Sequence, residues 1–322
     1  MTARVAVLIP CFDEAAAIGG VVAAFRAALP DATIYVYDNN SRDDTARIAA
    51  EAGAEVRREP LQGKGNVIRR MFADIEADAY VLVDGDGTYD ATAAPGMVAL
   101  LLADRLDMVT GLRVSVAGAA TYRPGHRFGN VMLTRMVGVV FGNRVGDMLS
   151  GYRAFSRRFV KSFPALASGF ETETEFTVHA LELRLPIAEI ATDYRERPAG
   201  SQSKLSTWRD GWRILRTIGL LVQRERPLAF CGAFGALLIA SAVALALPLL
   251  ATYAETGLVP RFPTAILATG LSILGCLSFA SGLVLDTVTR GRLEAKRIAY
   301  LTIPAWQPPT VAAKPEATAS LT

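Results

Sequence analysis

Hydrophobic and polar positions divide this chain into two unlike parts. Up to about residue 115, short β-rich runs alternate with longer amphipathic stretches. Arg4–Ile9, Thr33–Asp38, Ala54–Arg58, Ala79–Val83 and Asp107–Gly111 read as strands; Ala15–Leu29, Asp43–Ala52, Gly65–Ile75 and Ala91–Ala103 read as helices. Such alternation predicts an α/β domain with a mostly parallel, doubly wound sheet. Past residue 226 the pattern changes. No charged residue occurs from Pro227 to Ala254, nor from Phe262 to Leu285. As helices rising about 1.5 Å per residue, both stretches exceed the roughly 30 Å hydrocarbon core of a bilayer. They predict two transmembrane helices, about 228–251 and 263–286, with Pro248 at a kink or at the helix end.

Charge orients this hairpin. Arg213, Arg216, Arg224 and Arg226 precede the first span, and Arg290, Arg292, Lys296 and Arg297 follow the second, whereas the connector offers Glu255 and Arg261. Positive charge on both outer flanks predicts a cytoplasmic N-terminal domain and tail on the inner face of the cell membrane. Residues 206–226 mix Trp208, Trp212, Ile214, Leu215 and Ile218 with arginines, a pattern suited to a helix in the headgroup layer. The predicted organisation is therefore a domain over 1–205, a juxtamembrane helix over 206–226, a hairpin over 227–288 and a tail over 289–322. Small residues at Gly232, Gly235 and Ala236 offer a face on which copies of the hairpin could pair.

Composition narrows the chemistry. The 322 residues carry a net charge of only +3, so nothing in the balance calls for nucleic acid. Cys11, Cys231 and Cys276 are far apart and lack a C-x-x-C spacing, and His126 and His179 are the only histidines. Neither a zinc site nor a disulfide scaffold is predicted. The densest chemistry lies directly after the fourth strand, in Asp84-Gly85-Asp86-Gly87-Thr88-Tyr89-Asp90. Carboxylates at alternate positions suit a hard divalent cation such as Mg²⁺ or Mn²⁺. An EF-hand loop is excluded, because its sixth and twelfth positions would hold Tyr89 and Pro95. Other strand ends supply Pro10-Cys11-Phe12-Asp13-Glu14, Asp38-Asn39-Asn40-Ser41 and Gly111-Leu112-Arg113, with Gly63-Lys64-Gly65 at a helix start. No G-x-G-x-x-G follows the first strand, which argues against a dinucleotide oxidoreductase. Aspartates for a metal and a base edge, with a lysine and an arginine for phosphate, make a nucleotide–metal pocket.

These segments, with Ser150-Gly151-Tyr152-Arg153, together resemble family 2 glycosyltransferases of GT-A fold. The likeness covers about residues 4–205 and is strongest to enzymes that load a sugar onto a polyprenyl phosphate, such as dolichol-phosphate mannose synthases and their undecaprenyl-phosphate counterparts. It implies a metal-dependent, inverting hexosyltransferase with a UDP- or GDP-sugar donor and a polyprenyl phosphate acceptor. It further implies that Pro10, Phe12, Glu14 and Asp38 hold the nucleoside, while Lys64 and Arg113 meet phosphate. Asp84 and Asp86 would bind the metal and diphosphate. Arg127, Arg153 and Lys204 would meet the acceptor phosphate, and Asp86, Asp147 and Arg127 would form the reacting centre. Glu175 matches a later motif, although a solvated helix face shared with Glu171 and Glu173 fits it as well. Two departures stand out. Asn39 replaces the second aspartate of the usual pair, where a base or ribose contact is at stake, and Thr88 stands where some relatives carry a glutamine ligand. Two alternatives stand beside this reading: a processive polysaccharide synthase, which usually carries Q-x-x-R-W where here Gln223-Arg224-Glu225-Arg226 runs into Pro227, and an inactive membrane scaffold of the same fold, against which intact Asp84, Asp86, Asp147 and Lys64 argue.

Overall fold

The computed structural model describes residues 3–115, 146–169, 171–194, 223 and 226–307. Within these, residues 3–115, 146–169, 171–194 and 299–307 make one compact unit, and 223 with 226–298 make a second. Arg127 and Lys204, the predicted acceptor-phosphate residues, lie outside the described residues, as does nearly all of the predicted juxtamembrane helix.

The first unit runs β1 (Val5–Cys11), α1 (Ile18–Ala28), β2 (Thr33–Asp38), α2 (Thr45–Glu51), β3 (Glu55–Arg58), α3 (Lys64–Asp74), β4 (Ala79–Leu82), α4 (Ala94–Ala103), β5 (Met108–Ser115), β6 (Arg153–Ser156), α5 (Arg157–Ser162), α6 (Thr172–Leu183) and β7 (Ile187–Tyr194). The strands form one sheet in the order β3-β2-β1-β4-β6-β5-β7. β6 is antiparallel to both neighbours, and the remaining pairs are parallel. All five predicted strands are present, with β5 reaching four residues further than expected, to Ser115.

Strand periodicity splits the core in two. On β1, Val7, Ile9 and Cys11 point to one face, and Ala6 and Leu8 to the other. The first face is covered by α1, α2 and α4; α1 presents Ile18, Val21, Val22 and Phe25 at helical spacing. The second is covered by α3, α5 and α6, where Phe72, Phe159 and Phe176 of the helices contact one another together with Phe155 of β6 and Phe163 just past α5. Chain order reverses between β1 and β4, because β1 pairs with β2 on one side and β4 on the other. Ligands of open α/β sheets bind at the strand ends beside such a reversal. Residues 299–307 also belong to this unit: the Tyr300 hydroxyl donates to Asp107 at 2.8 Å, and Arg158 Nε donates to the Ile303 carbonyl at 2.9 Å.

The second unit is a helical hairpin of α7 (Pro227–Thr256) and α8 (Phe262–Leu301), the latter belonging to it as far as Ile298. By length and composition both helices can cross a bilayer, with mean hydropathy of 2.3 and 1.8 in their most apolar windows. Two expectations change. Helix α7 passes Pro248 and ends at Thr256, where Gly257 takes a left-handed φ of 68°. Helix α8 continues well past residue 286, its charged stretch supported by the Asp286–Arg290 pair one turn apart. The small residues on α7 face its own partner helix: a Cβ on Gly235 would sit 2.8 Å from the Gly275 carbonyl oxygen, and one on Gly232 3.4 Å from Phe279. The Ser278 hydroxyl also donates to the Cys231 carbonyl at 2.8 Å.

Candidate active site

The ends of β1 and β2 are laced to one another. Asn39 N donates to the Cys11 carbonyl, Asp13 N to the Ser41 hydroxyl and Glu14 N to the Thr45 hydroxyl, each at 2.9 Å. Asp13, at a left-handed φ of 53°, accepts from Arg42 N. Pro10, Phe12 and Glu14 are half-buried along this rim. Asp38 is buried and accepts from Ser41 N at 3.2 Å. Cys11 reports how many carboxylates converge here: burial first, then Glu14, Asp38, Asp84 and Asp86, push its thiol well above the ordinary value. It is therefore a neutral packing residue rather than a nucleophile.

Asn39 has a structural task. Its amide nitrogen donates to the Glu59 and Leu61 carbonyls, both at 2.8 Å, while its oxygen accepts from Gly63 N at 2.7 Å and Gln62 Nε2 at 3.3 Å. An aspartate could not make the two donations. The four bonds clamp the 59–63 loop, the segment that delivers Lys64.

Lys64 opens α3 and is almost fully buried, with its ammonium 2.5 Å from both Asp84 Oδ1 and Glu173 Oε1. Burial alone would lower its pKa, but the two carboxylates outweigh burial and hold it above the ordinary lysine value. Asp84 packs against Gly151, where any Cβ would collide with its carboxylate. Gly151 N donates to the buried Tyr89 hydroxyl at 2.9 Å. Asp86 accepts from the backbone and hydroxyl of Thr88, at 3.2 and 2.6 Å on the same oxygen. Thr88 thus orients Asp86.

Arg113 and Asp147 form a two-pronged ion pair, and the Arg113 guanidinium lies 5.6 Å from the centre of the Tyr194 ring. Burial would raise the Asp147 carboxyl; the bonds and charge of Arg113 overcome this, with Leu149 N assisting, and hold it below the ordinary value. Arg153 lies in the core. It is fully buried, donating to the Ser150 carbonyl at 3.0 Å, the Met148 carbonyl at 2.8 Å and the Thr177 hydroxyl at 2.9 Å. Burial pushes its guanidinium down to about 10, which leaves it charged at neutral pH. In that position it braces the 148–150 turn. Asp147 takes Arg113 as a hydrogen-bonded partner.

Helix α6 holds a residue that sequence reasoning passed over. Glu175 closes the preceding turn, accepting from Leu166 N and Ala167 N at 2.9 Å each. Glu173 turns inward to Lys64 instead. The signal was the acidic alternation at Glu171, Glu173 and Glu175, which reads as a solvated face until the helix is known to be buried on nearly every side.

Among the described residues no group of three or more His, Cys, Asp or Glu side chains gathers into a metal cage. The residues present nevertheless fit a divalent cation. Asp84 and Asp86 are two hard oxygen donors on one turn, beside a glycine that clears room for a carboxylate. One or two carboxylates, completed by substrate phosphates and water, is the usual Mg²⁺ arrangement.

The model described as Glycosyl transferase family 2 matches residues 6–163. Glycosyltransferase AglJ of Haloferax volcanii is 34% identical over 249 residues, covering 76% of this chain and 80% of its own length. An uncharacterized Shigella flexneri protein, SF2094/S2216, is 53% identical over 154 residues, 48% of this chain and 94% of its own. A dolichyl-phosphate hexose transferase of Haloferax volcanii is 28% identical over 221 residues, 69% of this chain and 95% of its own. Among solved structures, glucosyl-3-phosphoglycerate synthase from Mycobacterium tuberculosis, in complex with Mn²⁺, UDP and glucosyl-3-phosphoglycerate, is similar with a TM-score of 0.55 and 24% identity, over 69% of this chain and 80% of that one. That likeness establishes the fold as GT-A. With its strand-end acidic site and these relatives, the chain belongs to glycosyl transferase family 2 and is a glycosyltransferase.

Proposed function

We propose that this chain is a membrane-anchored, inverting hexosyltransferase that moves a sugar from a UDP- or GDP-sugar to a polyprenyl phosphate at the cytoplasmic face of the cell membrane. One observation carries the reading: a strand-end site bearing Asp84, Asp86 and Lys64 shares a chain with two long helices, each with a charge-free stretch long enough to cross a bilayer. The similarity to a dolichyl-phosphate hexose transferase supports the lipid acceptor. A polyprenyl tail stays in the bilayer, so its transferase must work at the headgroup layer. In this reading residues 1–205 are catalytic, 206–226 lie at the interface, 227–288 form the membrane hairpin and 289–322 return to the cytoplasm.

The residues divide the work. Pro10, Phe12, Glu14 and Asp38 line the nucleoside side of the cleft, with Asp38 toward the base. Asp84 and Asp86 would hold Mg²⁺ or Mn²⁺. When bound, that cation supplies Lewis-acid neutralisation of the departing diphosphate. Lys64 and Arg113 add fixed positive charge beside the same phosphates. Asp147 sets the plane of the Arg113 guanidinium, so that its donors face one direction. The acceptor phosphate is already anionic near neutral pH and needs placement more than deprotonation, a role that falls to Arg127 and Lys204. Attack by one phosphate oxygen on the anomeric carbon breaks its bond to the diphosphate and inverts the centre in a single displacement.

The test is a donor screen. Full-length protein in detergent, with Mn²⁺ and undecaprenyl phosphate, is given UDP- and GDP-hexoses singly, and lipid products are read by mass spectrometry. A lipid-monophosphate hexose from one donor supports the reading. Transfer to a water-soluble phosphate such as phosphoglycerate, with none to the lipid, would overturn the acceptor assignment.

A further inference from the structure

Lys64 and a divalent cation make claims on the same carboxylate. The ammonium lies 2.5 Å from Asp84 Oδ1, so the oxygen offered to a metal is already bonded to a positive charge. Two cations sharing one carboxylate repel each other strongly where the dielectric is low. Either Lys64 withdraws or Asp84 binds the metal poorly.

The surroundings supply a place for Lys64 to withdraw to. Glu173 is 2.5 Å from the same ammonium, and its side chain is only 7% exposed. Its second oxygen, Oε2, is buried and has no hydrogen-bond partner among the described residues. An ammonium released by Asp84 can therefore gain that oxygen without leaving Glu173. Lys64 and Glu173 are also held together independently of Asp84. Gly65 N donates to the Ser168 carbonyl at 3.2 Å, and a Cβ on Gly65 would clash with the Ala167 carbonyl. Glu175 fixes the 166–167 turn, and the Thr172 hydroxyl donates to the Gly169 carbonyl at 2.8 Å. Asp84, by contrast, is 29% exposed and is followed by Gly85 and Gly87, the latter at a φ of 74°. The movable partner is the aspartate; the fixed one is the glutamate.

We propose that Glu173 is a positioning residue for the metal site, anchoring Lys64 so that Asp84 can exchange the ammonium for the cation. With only Asp84 as partner, the buried ammonium would have no other carboxylate and would hold the metal oxygen closed. The inference rests on Asp84 and Asp86 being the metal pair, so its test must report on that assignment separately.

Mn²⁺ binding to the full-length protein in detergent, followed by electron paramagnetic resonance of the free ion, provides the readout, with and without UDP. The variants are Asp86→Ala, Glu173→Gln, Lys64→Met and the double variant Glu173→Gln/Lys64→Met. In wild type, Mn²⁺ binds and Asp86→Ala abolishes it. Glu173→Gln weakens binding about tenfold, within the usual range of coupling between sites. Lys64→Met tightens binding without nucleotide, and in its background Glu173→Gln has no further effect. Equal weakening by Glu173→Gln with and without Lys64 would overturn the inference, since the glutamate would then act through general structure. No tightening in Lys64→Met would overturn it as well, even if Glu173→Gln failed to fold. Absence of Mn²⁺ binding in wild type, or full binding in Asp86→Ala, would overturn the metal assignment and the inference with it.

Discussion

Arg113 grips Asp147 with two hydrogen bonds, Nε to Oδ2 at 2.6 Å and Nη2 to Oδ1 at 2.8 Å. Both side chains are largely buried, at 14% and 8% exposed, so solvent screens the pair little. Removing one partner of a buried pair costs roughly 3–5 kcal/mol. The Asp147 carboxyl is held below its ordinary value, so its contribution is fully present above the unfolded pKa of about 3.9 and fades as pH falls through the lower folded value. Asp147→Asn is therefore expected to be less stable than wild type at pH 7, with the gap closing only well below pH 4. Urea unfolding of both proteins across that range checks it. A gap that closes above pH 5 would contradict the assigned pair.

Asn39 makes a different prediction, because its importance lies in donated hydrogens. Asn39→Asp would set a carboxylate against the Glu59 and Leu61 carbonyls, now 2.8 Å from the amide nitrogen. The buried Glu59 carbonyl and the part-buried Leu61 carbonyl would lose their donor and face a negative charge, a loss of roughly 2–4 kcal/mol. The 59–63 loop leads directly into Lys64, so nucleotide affinity should fall in parallel. Thermal melting and UDP titration of the variant measure both. If the side chain instead touched ribose, affinity would fall while the melting temperature stayed put.

Arg153 is expected to behave as a structural brace. Its three nitrogens bond the Ser150 carbonyl, the Met148 carbonyl and the Thr177 hydroxyl, a fork that lysine cannot reproduce. Arg153→Lys should lower stability by roughly 1–3 kcal/mol for the partners left unbonded. The KM for the acceptor should change no more than the KM for the donor. A selective rise in acceptor KM at unchanged stability would restore the phosphate role that the resemblance implied.

These cases show where the sequence was legible. The strands β1 to β5 and the helices between them carry strong periodicity, and each was found within a few residues. β6 is not legible: Arg153-Ala154-Phe155-Ser156 is as short as β3 and β4 but stands outside the strand–helix alternation that reveals them, and its antiparallel pairing with β4 and β5 is set by tertiary contact. The same limit hid the roles of charged residues. Alternating Glu171, Glu173 and Glu175 look equivalent in one dimension, yet one is exposed, one meets Lys64 and one closes a turn. Likewise, Asp147 has an arginine six residues away in sequence, but it hydrogen-bonds to the more distant Arg113. The span 263–286 marks the charge-free part of α8, and the apolar pattern that defines it carries no signal for where the helix itself ends. Charged residues are good helix formers, and the Asp286–Arg290 pair lets α8 continue to Leu301.

Thr88 offers the finest test of the acidic turn. Its hydroxyl donates to Asp86 Oδ1 at 2.6 Å and its backbone N–H to the same oxygen at 3.2 Å, with the side chain 1% exposed. Thr88→Val keeps shape and β-branching but deletes the hydroxyl. One hydrogen bond is lost, worth about 1 kcal/mol in stability, so the fold should survive. The effect on Asp86 is larger in consequence, because partners that orient a metal-binding carboxylate typically alter affinity or activity about 10–100-fold when removed. Transfer rate measured against graded Mn²⁺ should show a higher half-saturating concentration in Thr88→Val, with much of the rate recovered at saturating metal. Thr88→Ser retains the hydroxyl and should stay near wild type, whereas Asp86→Ala should show no recovery at any concentration. Equal, metal-independent losses in Thr88→Val and Thr88→Ser would mean that the missing contact is packing of the methyl group, and that Asp86 is oriented by the backbone alone.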